Sequence, residues 1–588
     1  MGKTLPAIAQ GAPSRWATVN CLPLDARPCE AFKLSPVTDA IEPIPPTRLQ
    51  SAWRWFASQW LEGRSPALWV LGLIIGIIVA LAVIGFILAI ETMSFLAFGA
   101  DHERLASGVA ALPIWHIMLA PVCGGIIVSA LLYLGEKRGW LTDTRAHAVA
   151  DVIEARAVRA GKVNLKTGVL SAAIAAISLG SGGSAGREGP AVHLGGALAS
   201  FIARTLGLPD RAARILLACG AAAAVAASFN APIAGAVFAF EVVLGHYALR
   251  SIAPVAIASV MGALIARLVF GASPAFAIPA IEPATLWDFG GVVLLGVASA
   301  GVAIVFIRAT LAAPVIVRTR AEALKFPLWA LPPIGGVMIG AIAIFFPEVL
   351  GVGYETTADA LAGGFALQGL VMLLVVKIIA TAITLGFRFG GGVFSPSLYL
   401  GAMLGAAFGG VAGMAMGAET GGMTFYALVG MGAVSGAVLG APLSTTLIVF
   451  ELTASYEASL GVLIAVSLAT VITQSVTGGS VFQKQIQRKG YDLSRGQARV
   501  LLQTIRVRTI MTPLEAGEAS TEPDDDAACL FEDDYLGRAL GFLSAEKLDG
   551  AAVRSRSDDG AIIGYLSKAD AHAAYAKALA DAHEEEHR

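Results

Sequence analysis

Between Arg64 and Glu91 the chain carries no charge, and Ser65 to Ile90 forms 26 residues of nearly unbroken apolar sequence. Similar charge-free runs extend from Ile215 to Phe240 and from Thr420 to Phe450. A helix rises about 1.5 Å per residue, so each run is long enough to cross about 30 Å of hydrocarbon. Apolar sequence continues, with interruptions, to residue 482. Its segments are uneven in length and dense in glycine, which predicts close helix packing and a mixture of full spans and half-length broken helices. The alternating segments of a membrane β-barrel do not occur. The pattern predicts an all-α polytopic membrane protein.

Polar sequence flanks this core. Residues 1–64 hold seven basic residues (Lys3, Arg15, Arg27, Lys33, Arg48, Arg54 and Arg64), and the first apolar run is too long for a signal-peptide core. Basic residues also follow the last run, at Lys484, Arg488, Lys489, Arg495 and Arg499. Both ends are therefore expected on the cytoplasmic side of a plasma (inner) membrane. The expected organisation is a polar segment 1–64, a transmembrane domain 65–485 and a tail 486–588.

Composition agrees: 588 residues, 56% hydrophobic, 14% charged and a mean hydropathy of +0.71 exclude an ordinary soluble protein. The net charge of −2 decides little, because the charges lie in ends and loops. No nucleic-acid partner is expected. Five scattered cysteines offer neither a disulfide framework nor metal spacing.

The core repeats itself. Gly186-Arg187-Glu188-Gly189-Pro190 and Gly392-Val393-Phe394-Ser395-Pro396 share a G-x-[EF]-x-P skeleton at an offset of 206, each running into an apolar helix. A second block matches at an offset of 210, pairing Gly220, Ala231, Pro232 and Glu241 with Gly430, Ala441, Pro442 and Glu451. Two such halves, about 65–270 and 284–485, fit the internal-repeat design of transporters and channels. The glycines allow close approach of backbone to ligand, and Pro190 suits a first helical turn. Unpaired amides and the helix dipole at such a start attract an anion. Glu188 stands there as a built-in competitor, blocking when ionised and leaving when protonated. The alternative is a structural ion pair with Arg187.

These motifs, with F-N-A-P-I-A-G at 229–235 and G-A-P-L at 440–443, resemble the CLC family of chloride channels and proton/chloride exchangers over roughly 65–490. The resemblance implies a homodimer in the bilayer, each subunit an antiparallel pair of inverted repeats with its own pore carrying chloride ions, with protons as gate or counter-substrate. Glu188 matches the family's gating glutamate. Gly186, Arg187 and Gly189 surround it, and the amides of Val393 and Phe394 match those facing the central anion. Bound chloride is expected and no other cofactor, metal or enzymatic activity.

Three departures qualify the resemblance. Where the family has a serine in a G-S-G-I-P motif, this chain has Ala146-His147-Ala148-Val149-Ala150; His147 either donates to the anion or is a packing histidine. Gly180-Ser181-Gly182 lies too near Gly186 and belongs to the approach loop. Phe482 replaces a hydroxyl-bearing tyrosine on what is expected to be the last transmembrane helix. Val242 stands where proton-coupled members carry an internal glutamate, and on an α-helix the adjacent Glu241 points about 100° away. That favours channel-like conduction, with proton/chloride antiport as the alternative and a degenerate-pore anion or nucleotide sensor as a third reading.

Residues 505–580 resemble a shortened CBS domain, expected to form two short strands, 551–553 and 561–566, around the turn 557–560, behind an acidic loop at Glu522 to Asp526. It is either an adenine-nucleotide site or a structural dimer contact. His583-Glu584-Glu585-Glu586-His587 formally matches the H-E-x-x-H zinc pattern but has no third ligand or surrounding fold, so catalysis is not expected.

Overall fold

The computed structural model describes residues 66–100, 104–141, 145–271, 278–279, 285–416, 422–493, 497–514, 529–556 and 561–587. The segment 1–64, the acidic loop and the turn 557–560 lie outside the described residues.

The first half of the core contains α1 (Pro66–Phe98), α2 (Leu105–Ala110), α3 (Ile114–Lys137), α4 (Val149–Val158), α5 (Leu165–Gly180), α6 (Glu188–Thr205), α7 (Asp210–Phe229), α8 (Pro232–Phe238) and α9 (Leu249–Phe270). The second contains α10 (Leu286–Ala323), α11 (Pro332–Ala343), α12 (Tyr354–Leu361), α13 (Leu367–Gly386), α14 (Phe394–Met416), α15 (Gly422–Leu439), α16 (Pro442–Thr453), α17 (Tyr456–Thr477) and α18 (Val481–Arg488). Among the described residues nine helical stretches are long and apolar enough to cross a membrane, and shorter apolar helices lie between them.

Two of the charge-free runs do not form single spans. The run from Ile215 breaks after α7, where Asn230 adopts φ 57° and Ala231, at φ −126° and ψ 83°, leaves helical geometry before Pro232 opens α8. The run ending at Phe450 breaks in the same way, through Gly440 at φ 72° and Ala441 before Pro442 opens α16. Proline has no amide hydrogen to give an interior turn and disfavours helical geometry in the residue before it, so each A-P pair starts a new helix. The chain re-enters a π-helical turn at Ala239–Leu244, which carries Glu241 and Val242. The α-helical spacing expected around Glu241 therefore does not apply.

Those short helices cap each other. Glu451, near the end of α16, accepts from the Ile233 and Ala234 amides at 2.9 and 2.7 Å, opening α8. Glu241 accepts from the Leu443 and Ser444 amides at 3.0 and 2.8 Å, opening α16. Each carboxylate meets the positive dipole end of the other repeat's helix.

The centre is built from α7 and α15, apolar on all sides and almost wholly buried. Glycines let them approach α6 and α14. A Cβ built on Gly195 would lie 2.5 Å from the Gly220 carbonyl oxygen, and one on Gly220 would strike the Gly195 carbonyl. Gly401 and Gly430 are related in the same way. These crossings fall at the repeat's own offsets, so both halves use one packing device.

In the tail, α19 (Gln497–Thr504) leads to β1 (Thr512–Pro513), β2 (Leu530–Phe531), α20 (Leu536–Ala545), β3 (Gly550–Arg554), β4 (Ile562–Ser567) and α21 (Lys568–His587). The strands form one sheet in the order β1-β4-β3-β2, with β2 parallel to β3 and the other pairs antiparallel. The two expected strands are present, and two short edge strands join them. Leu530, Leu543, Val553 and Leu566 fill its core. Of the H-E-x-x-H residues, His583 is exposed on α21 and the other side chains lie outside the described residues.

Gly220→Ala should destabilise the protein by about 1–3 kcal/mol or more, because the added methyl overlaps backbone that cannot withdraw. Gly301→Ala, with nothing within 4 Å of its Cβ, serves as the control. Thermal unfolding of the detergent-solubilised protein should separate the two variants, and equal melting would refute the packing argument.

Candidate functional site

The two G-x-[EF]-x-P motifs meet. The Gly186 amide donates to the Gly392 carbonyl at 2.8 Å and the Gly392 amide donates back at 2.7 Å, forming an isolated antiparallel bridge. No side chain fits at this junction. A Cβ on Gly186 would stand 2.8 Å from Glu188 Oε2 and 3.0 Å from the Ser395 amide nitrogen, and one on Gly392 would stand 3.2 Å from the Gly189 nitrogen. The approach loops are held by matching contacts: the Ser184 amide donates to Thr384 Oγ1 at 3.0 Å, and the Gly390 amide to Ser178 Oγ at 2.8 Å. The bridge brings together the starts of α6 and α14, whose first-turn amides have no acceptor within their own helices.

Glu188 is the first residue of α6 and is 1% exposed. Its Oε1 accepts from Ser395 Oγ at 2.5 Å and from the Tyr354 hydroxyl at 3.1 Å. Its Oε2 is buried without a hydrogen-bond partner among the described residues. The carboxylate thus reaches from one repeat to the helix start of the other and is only half satisfied there. Arg187 lies with its guanidinium 4.8 Å from the Tyr354 ring centre and donates to the Ser228 carbonyl at 3.3 Å.

Tyr354 is placed by a buried lysine. Lys377 on α13 is fully buried and donates to the Val349 and Gly351 carbonyls at 3.0 and 3.1 Å, with its ammonium 4.9 Å from the Tyr399 ring centre. Gly353, at φ 87°, then turns the chain so that Tyr354 opens α12. No carboxylate pairs with Lys377 among the described residues; its two carbonyl contacts brace the 349–351 backbone that leads into Tyr354.

Val393 and Phe394 are buried at the opening of α14. The Phe394 ring packs on Phe229 and Phe238 at centroid distances of 5.1 and 6.2 Å, anchoring that helix start to the ends of α7 and α8. Near Gly189, a Cβ would lie 3.5 Å from Ala148 Cβ, so the loop preceding α4 reaches the junction. His147 in that loop has Nδ1 3.0 Å from Asp151 Oδ1, while its Nε2 is buried and unpartnered among the described residues. The Ala148 amide donates to Asp151 Oδ2 at 2.8 Å, so the chain's own carboxylate takes the anion position at the start of α4. Arg145 and Lys489 bind the same carboxylate at 2.8 and 2.6 Å.

Phe482 is buried at the start of the last helix of the core. It lies on the separate helix α18, entered through Gly478, Gly479 and the N-cap Ser480. The glycine pair and the serine cap end α17 at Thr477, a break that hydropathy does not register. Helix α18 packs on α4, so the two departures from the family pattern share one neighbourhood. Val242 is partly buried against the core, and the adjacent Glu241 is engaged by the α16 amides.

Sequence reasoning missed Tyr354, Lys377 and the contacts of Asp151. Ser395 lies inside the second repeated motif, and only the fold shows its hydroxyl on Glu188. Tyr354 carries no local signal, because its contact with Glu188 spans 166 positions.

The model of the voltage gated chloride channel family matches residues 137–474. The chain is 34% identical over 430 residues to a putative chloride channel protein ClcB-like of Ralstonia nicotianae, covering 72% of this chain and 97% of that protein. It is 29% identical over 421 residues to the voltage-gated ClC-type chloride channel ClcB of an Escherichia coli strain, covering 70% and 96%. Its backbone resembles that of a slow cyanobacterial Cl−/H+ antiporter, with a TM-score of 0.63 and 21% identity over 72% of this chain and 98% of that one. A CLC-type fluoride/proton antiporter gives a TM-score of 0.59 and 21% identity over 71% and 96%. The family match, covering more than half of the chain, and the relative above 30% identity place this protein in the voltage-gated chloride channel, or CLC, family.

Proposed function

We propose that the protein carries chloride or a similar small anion across the membrane, with Glu188 as a gate that opens on protonation. The observation that supports this most directly is where the carboxylate sits. Hydroxyls of Ser395 and Tyr354 converge on one of its oxygens, at the meeting point of two helix starts. A site that holds a carboxylate with hydroxyl donors and helix dipoles has the chemistry to hold a halide once that carboxylate leaves. Protonation removes the charge for which the site is built, and the unpartnered Oε2 lowers the cost of departure.

Passive conduction is the reading we favour. Val242 offers no carboxylate to carry a proton, and both Glu241 and Glu451 are engaged as helix caps. The curated relatives are named as chloride channels. A homodimer with both termini on the cytoplasmic side of the plasma membrane, and an adenine-nucleotide or dimer-contact role for the tail, belong to the same proposal.

Chloride efflux from liposomes is the direct test. The wild type should be activated by acid, changing by up to about tenfold per pH unit as expected of a one-proton gate. Glu188→Ala should carry chloride at neutral pH and lose most of that steepness. An equally steep profile in the variant would sink the gate, and no flux in either protein would favour the sensor reading.

Tyr354→Phe and Ser395→Ala each remove a donor that holds the ionised carboxylate in place. Each should move half-activation toward higher pH by about one unit, the size of one charged hydrogen bond. A shift toward lower pH would contradict the assignment. Reversal potentials measured under a pH gradient should follow the chloride Nernst potential, whereas displacement by the proton gradient would establish exchange instead.

A further inference from the structure

We infer that Glu355 and Lys377 are positioning residues for the gate. Between them they hold the Tyr354 hydroxyl on Glu188, and Glu355 ties the segment joining α1 and α3 to that contact. The inference deepens the reading of Glu188 as a protonation gate and rests on it.

Tyr354 follows a backbone turn that does not aim it. Gly353 sits at φ 87°, and a Cβ there would lie 2.7 Å from Tyr399 Cδ2 and 3.3 Å from Lys377 Nζ. A glycine in this conformation leaves the direction of the next residue to contacts on either side. On one side, Lys377 donates to the Val349 and Gly351 carbonyls. On the other, Glu355 Oε2 accepts from the Ala106 amide at 2.8 Å and from the Ser107 amide at 3.2 Å. Those amides belong to the first turn of α2 and have no acceptor within their own helix.

Packing joins the two anchors. Helix α2 packs on the 3-10 turn Pro347–Val349 as well as on α12. Leu105 and Val109 of α2 share an apolar cluster with Leu350. Thr356 Oγ1 donates to the Glu348 carbonyl at 3.1 Å, which closes α12 back onto the same turn. Tyr354 thus lies in a short loop held by a buried ammonium before it and by a carboxylate on α2 after it. Its hydroxyl stands 3.1 Å from Glu188 Oε1, already long for an O–H donor, so a small rotation of the α12 start loses the contact.

The competing explanation is that both charges act on Glu188 through their fields. The two routes differ in sign. The field of an ammonium favours ionised Glu188 and that of a carboxylate disfavours it, so neutralising Lys377 and Glu355 would move half-activation in opposite directions. Acting through Tyr354, loss of either anchor takes a donor from the ionised carboxylate. Glu188 then protonates more readily, and half-activation moves to higher pH in both cases. Arg187, whose guanidinium lies over the Tyr354 ring, and Asp359, one turn beyond Glu355 on α12, are the same in both variants.

The test is chloride efflux from liposomes across a pH series, using full-length Glu355→Ala and Lys377→Met beside the wild type and Tyr354→Phe. Each anchor variant should raise the pH of half-activation by about half to one unit. Lys377→Arg should keep most of the wild-type value, because a guanidinium can still donate to both carbonyls. In the Tyr354→Phe background neither anchor variant should add a further shift, since the hydroxyl they position is gone. Glu355 is only partly buried, so Glu355→Ala decides the matter even where Lys377→Met fails to fold. A shift of Glu355→Ala toward lower pH, or one that persists in full without the Tyr354 hydroxyl, overturns the inference and leaves the gate in place. An acid activation that Glu188→Ala retains removes the gate reading and this inference together.

Discussion

Two backbone hydrogen bonds between Gly186 and Gly392 hold the centre of this protein together. They join segments 206 positions apart and point two helix starts at one small volume. Glycine is required at both ends because a Cβ on either residue would enter the space of Glu188, Ser395 or Gly189. With the bridge in place, the orphan amides of α6 and α14 become neighbours, an arrangement with the chemistry to hold an anion without a charged wall. Without it, the Glu188 carboxylate would have no partner helix to reach.

The same exchange between halves recurs at a second pair of helix starts. Glu241 and Glu451 each leave their own repeat to cap the other's short helix. The glycine crossings of α6 with α7 and of α14 with α15 repeat the theme in apolar sequence. Each device is local and symmetric, but none works in one half alone. The asymmetry comes from side chains: the first repeat contributes a carboxylate where the second contributes Phe394, whose ring is tied to Phe229 and Phe238.

The distribution of hydroxyls is where this chain departs from its family pattern. His147 and Phe482 stand at positions where the resemblance calls for oxygen donors, while Ser395 and Tyr354 supply donors directly to Glu188. Polar support is thus concentrated around Glu188. Imidazoles and an ion cluster of Arg145, Asp151, Glu154 and Lys489 occupy the start of α4.

Much of the architecture was legible in the sequence because it depends on short-range rules. Charge-free runs mark helices in lipid, A-P pairs mark helix starts, and the two offsets reveal the repeat along with Glu188, Val393 and Phe394. Hydropathy over-extended two of the runs, since a window average cannot see Asn230 or Gly440 turn the chain before a proline. Tertiary structure alone decided which polar groups meet. Tyr354 reaches Glu188 from 166 positions away, Lys377 braces the loop that aims it, and His193 on α6 stacks on His147 in the loop before α4. In a buried site, hydrogen bonds are made to whatever the packing of distant helices brings within 3 Å. That proximity is a property of the folded chain and leaves no periodic trace along the sequence.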